Sequence, residues 1–156
     1  MYKGFKKLFI LVPLAVVSFA VAGSAQNITG SIKGGSVAKG SSARGVISMS
    51  IPAGLHVNSN RPSFENAIAT VIKLSGPGIR VGAVNYPRGT NRKFEFSENP
   101  LNVYEGTVRF PFSIMVPSSF KGDVVRLRAT VRFQACTNEV CYPPKSKEIT
   151  ITAKVR

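Results

Sequence analysis

Between residues 125 and 136 the chain alternates without a break. Val125, Leu127, Ala129, Val131, Phe133 and Ala135 point one way, and Arg126, Arg128, Thr130, Arg132, Gln134 and Cys136 the other. A period of two marks an extended strand with one buried face; a helix, whose apolar stripe recurs every 3.6 residues, does not accommodate it. The alternation returns in residues 107–116, with Val108, Phe110, Phe112, Ile114 and Val116 on one side. Pro111 falls on the opposite side and predicts an edge strand or a bulge there, because proline gives a sheet no N–H. Ile47, Met49 and Ile51 share a face just before a turn at Pro52-Ala53-Gly54. Residues 69–74, 79–86 and 149–155 are further β-rich runs. Seven to nine short strands, frequent turn signals and no helical periodicity predict an all-β chain, an immunoglobulin-like antiparallel β-sandwich. No internal repeat is present.

The chain has 156 residues, enough for one domain and a short appendage. Residues 1–25 read as a secretory signal peptide. Lys3, Lys6 and Lys7 precede the apolar run of residues 8–22, and Gly23-Ser24-Ala25 places cleavage before Gln26. Ala20-Val21-Ala22 is a second site. The alternative, an uncleaved anchor, needs about 20 apolar residues, more than this run supplies. No cysteine follows it to carry a lipid. The signal is bacterial in type, so the expected location is periplasmic or secreted, with no transmembrane segment in the mature chain. Residues 26–45, rich in Gly and Ser, read as an N-terminal arm or a weak hairpin, and residues 46–156 as the folded domain.

Removing the leader leaves 18 basic and seven acidic residues, a net charge of +11. That charge suits acidic partners or anionic headgroups. Export argues against nucleic acid. A mature domain of this size buries about two-thirds of its unfolded surface and needs no disulfide to fold. Two cysteines and one histidine exclude a four-ligand zinc site and His-rich catalytic clusters. No metal and no cofactor are expected, and His56 reads as a polar residue at a strand end rather than a ligand beside the cysteines. No Gly-x-Ser-x-Gly elbow or carboxylate pair supports a hydrolase. The Asn27-Ile28-Thr29 sequon is a chance match that matters only in a glycosylating host.

The cysteines stand in Cys136-Thr137-Asn138-Glu139-Val140-Cys141, followed by Tyr142-Pro143-Pro144. In one extended strand their separation would be about 16 Å, whereas a disulfide needs Cα atoms about 4.4–6.8 Å apart. If they bond, residues 137–140 must reverse the chain, with Asn138 the natural turn residue. The two prolines then stiffen the exit. So short a closed loop stabilises by only about 2 kcal/mol. If the alternation holds to its end, Cys136 shares a face with Arg126, Arg128 and Arg132, and positive charge favours the attacking thiolate. An inert hairpin disulfide remains the alternative.

Phe133-Gln134-Ala135-Cys136 with Val140-Cys141-Tyr142-Pro143-Pro144 resembles the active-site hairpin of the amino-terminal periplasmic domain of thiol:disulfide interchange protein DsbD. The likeness extends to residues 51–60, to Tyr86-Pro87-Arg88-Gly89 and to Val103-Tyr104-Glu105-Gly106. The resemblance implies an immunoglobulin-like redox domain whose catalytic pair is Cys136 and Cys141. It implies electron relay between a membrane-embedded or thioredoxin-like donor and thioredoxin-fold periplasmic proteins, including isomerases and cytochrome c maturation factors. It leans towards Cys141 as the cysteine that bonds the partner. It also implies a cap loop, here residues 93–98, with Phe94 or Phe96 as the aromatic shield. Arg132, Gln134, Tyr142 and Pro143 are the supporting residues beside the pair. Two departures stand out. The 156 residues carry neither the transmembrane region nor the terminal thioredoxin domain of DsbD, so a separate membrane electron donor is expected. Four residues separate the cysteines, where the best-known members have five.

Two functions follow as expectations. The first is a periplasmic thiol–disulfide exchange module, an electron-relay oxidoreductase domain rather than a stand-alone enzyme. The second is an extracytoplasmic β-sandwich binding or assembly module with an inert disulfide.

Overall fold

Alternating apolar side chains bury one face of a strand, and in this chain they do so in almost every long segment. The computed structural model describes residues 26–63 and 66–156; the leader expected over residues 1–25 lies outside them. Twelve strands follow in order: β1 (Asn27–Ile32), β2 (Ser36–Val37), β3 (Ser42–Ser50), β4 (His56–Asn58), β5 (Val71–Ser75), β6 (Arg80–Val81), β7 (Thr90–Arg92), β8 (Leu101–Tyr104), β9 (Thr107–Met115), β10 (Val124–Phe133), β11 (Ala135–Cys136) and β12 (Lys145–Val155). They form sheets of order β1-β3-β9-β6, β2-β12-β10-β5 and β11-β4-β8-β7. Every pairing is antiparallel except β2 on β12. Among the described residues no helix is long and apolar enough to cross a membrane.

The first two sheets make the sandwich. Ile47 and Met49 from β3, Phe110, Phe112 and Ile114 from β9, and Val125, Leu127, Ala129, Val131 and Phe133 from β10 are buried in one cluster. Ile28, Ile32 and Val37, in the stretch left open between an arm and a hairpin, belong to the same cluster. There β1 pairs with β3 from Asn27↔Ser50 to Ile32↔Gly45. The architecture is an immunoglobulin-like antiparallel β-sandwich.

Pro111 has its physical explanation in the pairing. Its Cα partner on β3 is Val46. On the other side β6 pairs only with Met115 and Ile114, so β9 is an edge where the proline lies. The Pro111 carbonyl there accepts the Asn85 N–H at 2.8 Å, and the N–H that proline lacks would have faced the same unpaired side. The run at residues 79–86 accordingly yields only the two residues of β6 as regular strand.

The third sheet arises because β10 does not continue. After Phe133 the chain passes through Gln134 and joins a different sheet as β11, beside β4. One face of this sheet closes on the sandwich core through Val57, Tyr104 and Ala135. The other carries His56, Asn58, Leu101, Val103 and Cys136, since side chains alternate along each strand. Phe94, Leu101 and Val103 form a small second cluster on that face. Gly54 and Gly106, at φ of 79° and 62°, make the tight turns before β4 and after β8 that a side chain would strain.

The disulfide hairpin and its cap

Cys136 and Cys141 are bonded, with Cα atoms 4.0 Å apart, and face each other across an isolated antiparallel bridge. The reversal sits where the spacing required it, in residues 137–140. Thr137 N–H donates to Val140 O at 2.8 Å and Tyr142 N–H to Ala135 O at 2.9 Å. Asn138 occupies the tip, but Thr137 organises it: its hydroxyl oxygen accepts the N–H groups of Glu139 and Val140 at 3.2 and 3.1 Å. The two sulfur-bearing residues differ sharply in access. Cys136 is fully buried, whereas Cys141 is partly exposed between exposed Val140 and Tyr142.

The arginine face stops short of this hairpin. Arg126, Arg128 and Arg132 are exposed on β10, while Cys136 lies buried one sheet away, because the strand switch at Gln134 breaks the alternation. Arg132 sits in register between Ser146 of β12 and Val71 of β5, and no hydrogen bond or ion pair ties it to the hairpin among the described residues. The side chain nearest in register to Cys136 is His56 on β4.

Gln134 acts as a clamp. Its Oε1 accepts Asn58 Nδ2 at 3.2 Å and Ile68 N–H at 3.4 Å, and its Nε2 donates to Tyr142 O at 3.1 Å. One amide therefore joins β4, the segment before β5 and the exit of the hairpin, where Pro143 and Pro144 lead exposed into β12. Gln134→Ala is expected to cost about 1–3 kcal/mol in urea unfolding, because two buried-side donors lose their acceptor. An unchanged midpoint would mean that the clamp is idle.

The loop between β7 and β8 folds over the outer face of the third sheet. Phe94 is buried and stacks on the His56 ring, with centroids 3.9 Å apart at 15°. Phe96 stacks outside it, 5.5 Å from Phe94 and 6.5 Å from His56, and remains 40% exposed. Of the two cap candidates, Phe94 lies buried on the imidazole and Phe96 stands exposed beside it.

His56 itself is a residue that its sequence position undersold. It opens β4, yet it is 2% exposed, and its Nε2 has no hydrogen-bond partner among the described residues. Burial holds its pKa below the usual 6.5; Glu105 opposes the shift and Arg92 adds to it. Those two form an ion pair at 3.6 Å. Burial likewise pushes the Tyr104 pKa up, opposed by the Asn60 backbone N–H that donates to its hydroxyl oxygen. That hydroxyl lies 2.9 Å from Asn60 Oδ1 and 3.0 Å from Pro87 O. The segments around residues 51–60, 86–89 and 103–106, weak one by one, meet here.

A β-sandwich that presents a short-loop disulfide at one edge fits a class of protein, the thiol–disulfide interchange domain. The sequence model described as "Thiol:disulfide interchange protein DsbD, N-terminal" matches residues 32–153, and the chain belongs to that family. No curated protein sequence matches it. Among solved structures it is similar to the N-terminal periplasmic domain of ScsB from Proteus mirabilis, with a TM-score of 0.49 and 15% identity. That alignment covers 81% of this chain and 44% of the other, so this chain spans less than half the length of that structure.

Proposed function

We propose that this protein is a periplasmic electron-relay domain that exchanges the Cys136–Cys141 disulfide with thioredoxin-fold proteins. The observation that carries the reading is the contrast in burial, with Cys136 enclosed and Cys141 partly open. A partner thiolate reaches only the open sulfur. It attacks Cys141 Sγ, the Cys136–Cys141 bond breaks, and its electron pair leaves on Cys136 Sγ. A second thiol of the partner then attacks its own sulfur in the mixed disulfide and releases Cys141, so that the pair is reduced and the partner oxidised. The reverse sequence reduces a partner disulfide. Exposed Phe96, Val140 and Tyr142 supply the apolar contact that a docking thioredoxin fold needs beside the bond. Export through the leader places the exchange in an oxidising compartment.

Cys136→Ser tests the reading. It leaves Cys141 without its resolving partner, so a thioredoxin-fold disulfide protein should accumulate as a covalent complex that dithiothreitol dissolves. Cys141→Ser, which leaves only the enclosed sulfur, should trap far less. If neither variant trapped such a protein, and the wild-type bond had a reduction potential below about −300 mV, the disulfide would be an inert brace in a binding module.

A further inference from the structure

A buried imidazole without a hydrogen-bond partner is costly, since a polar group taken out of water loses about 1–3 kcal/mol when nothing replaces its hydrogen bond. In the disulfide form His56 Nε2 is such a group among the described residues. Its cross-strand partner is Cys136. Residues directly opposite in an antiparallel pair carry their side chains on one face, with Cβ atoms about 4.5–5.5 Å apart. Both are buried, and Phe94 covers the imidazole from above.

We infer that His56 is the proton acceptor for Cys136 during thiol–disulfide exchange, its Nε2 left unpaired in the disulfide and satisfied by the Cys136 thiol once the bond is reduced. The inference rests on the exchange reading above. Burial of Cys136 disfavours its thiolate at neutral pH, yet only the thiolate attacks. His56 supplies the base on the spot. With Cys141 joined to a partner in a mixed disulfide, the Cys136 S–H proton passes to His56 Nε2. The Cys136 thiolate attacks Cys141 Sγ, the bond from Cys141 to the partner breaks, and the electron pair leaves on the partner's sulfur. The imidazolium returns its proton to that departing thiolate. The domain ends as a disulfide and the partner as a dithiol, with two electrons and two protons transferred overall. The reverse path uses the same groups.

The surroundings keep the imidazole neutral. Cys136 from β11 lies opposite it, and the charges that act on it are Glu105, just past β8, and Arg92 from β7; the loop that carries Phe94 also bears Lys93, Glu95 and Glu98. Glu105 and Arg92 pair with each other, which moderates their net pull on the ring. Burial lowers the His56 pKa, so the ring is unprotonated and ready to accept at neutral pH.

His56 is the sole histidine in the sequence, so its ring can be followed in the intact wild-type protein. Nitrogen-15 histidine spectra are recorded across pH for the oxidised form and for the form reduced with dithiothreitol. The expected result is a change in the Nε2 shift and in the titration midpoint on reduction. Identical spectra and midpoints in the two forms would overturn the inference. His56→Phe preserves a flat ring for Phe94 to stack on and removes the base. Its exchange with an oxidised thioredoxin-fold protein should be about 100-fold slower at pH 7, and the deficit should close as pH rises past about 9, where thiols ionise unaided. A wild-type rate, or a deficit independent of pH, would refute the role. If the wild-type pair reduced but His56 did not respond, only the imidazole's role would fall. If the wild-type pair did not exchange at all, the functional reading would fall first.

Discussion

Replacing Cys141 with alanine is expected to bring thiol–disulfide exchange down to background while the sandwich stays folded. The remaining sulfur, on Cys136, is fully enclosed, so no partner reaches it and no mixed disulfide forms. The stability cost should be small for a disulfide. The bond closes a loop of four intervening residues, worth about 2 kcal/mol by loop entropy. It also joins two segments that Tyr142 N–H and Thr137 N–H already hold together. Exchange would be measured with a thioredoxin-fold substrate and stability by urea unfolding, both against the oxidised wild type. Loss of most of the domain's stability would mark the bond as structural and favour the inert-brace reading.

The largest expected loss of stability belongs to Phe110→Ala. Phe110 is fully buried on β9, and its ring meets those of Tyr104 and Tyr86 edge-on, at centroid distances of 5.6 and 5.7 Å. Truncating a buried phenylalanine costs about 3–5 kcal/mol through lost transfer energy and the cavity left behind. Small domains hold about 5–15 kcal/mol in all, so the variant should be marginal. The damage should also reach the redox sheet. Tyr104 pairs with Val57, the neighbour of His56, and its hydroxyl ties down Asn60 and the Pro87 carbonyl. Tyr86 accepts the Ile72 N–H at 2.7 Å. Urea unfolding gives the loss, and the rate at which dithiothreitol reduces the disulfide reports the sheet. A loss below about 1 kcal/mol would mean that the surrounding rings close the cavity, contrary to an interior packed at crystal-like density.

The core faces of the two longest alternating runs were legible. Val108 through Val116 and Val125 through Phe133 are buried at alternate positions as their spacing predicts, because one buried face imposes a period of two on any half-exposed strand. The cysteine hairpin was legible for a different reason: no extended chain can bring those two sulfurs together. The arginine face beside Cys136 was not. Alternation predicts a face only while the strand stays in its sheet, and Gln134 marks where the chain leaves it. Nothing local announces a sheet switch; it is decided by which neighbouring strand accepts the backbone.

His56 shows the same limit from the other side. Read along the chain, a single histidine at the start of a three-residue strand carries no period and no motif. Its role depends on two partners distant in sequence, Cys136 across the strand and Phe94 above the ring. The Gly-Leu-His-Val-Asn run did hold a trace, a histidine and an asparagine at alternate positions on a strand whose outer face is buried, but without the cap loop that face reads as solvent-facing.

By itself, the sequence determined the long alternating strands, the sandwich they form and where the chain must turn if Cys136 and Cys141 bond, since hydrophobic period and chain reach act locally. Tertiary structure alone decided that Cys136 is sealed while Cys141 is open, and that an imidazole lies beside the sealed sulfur. Burial and cross-strand register are set by segments up to 80 residues apart in the chain, 56 against 136, and only the packed sheet brings them together.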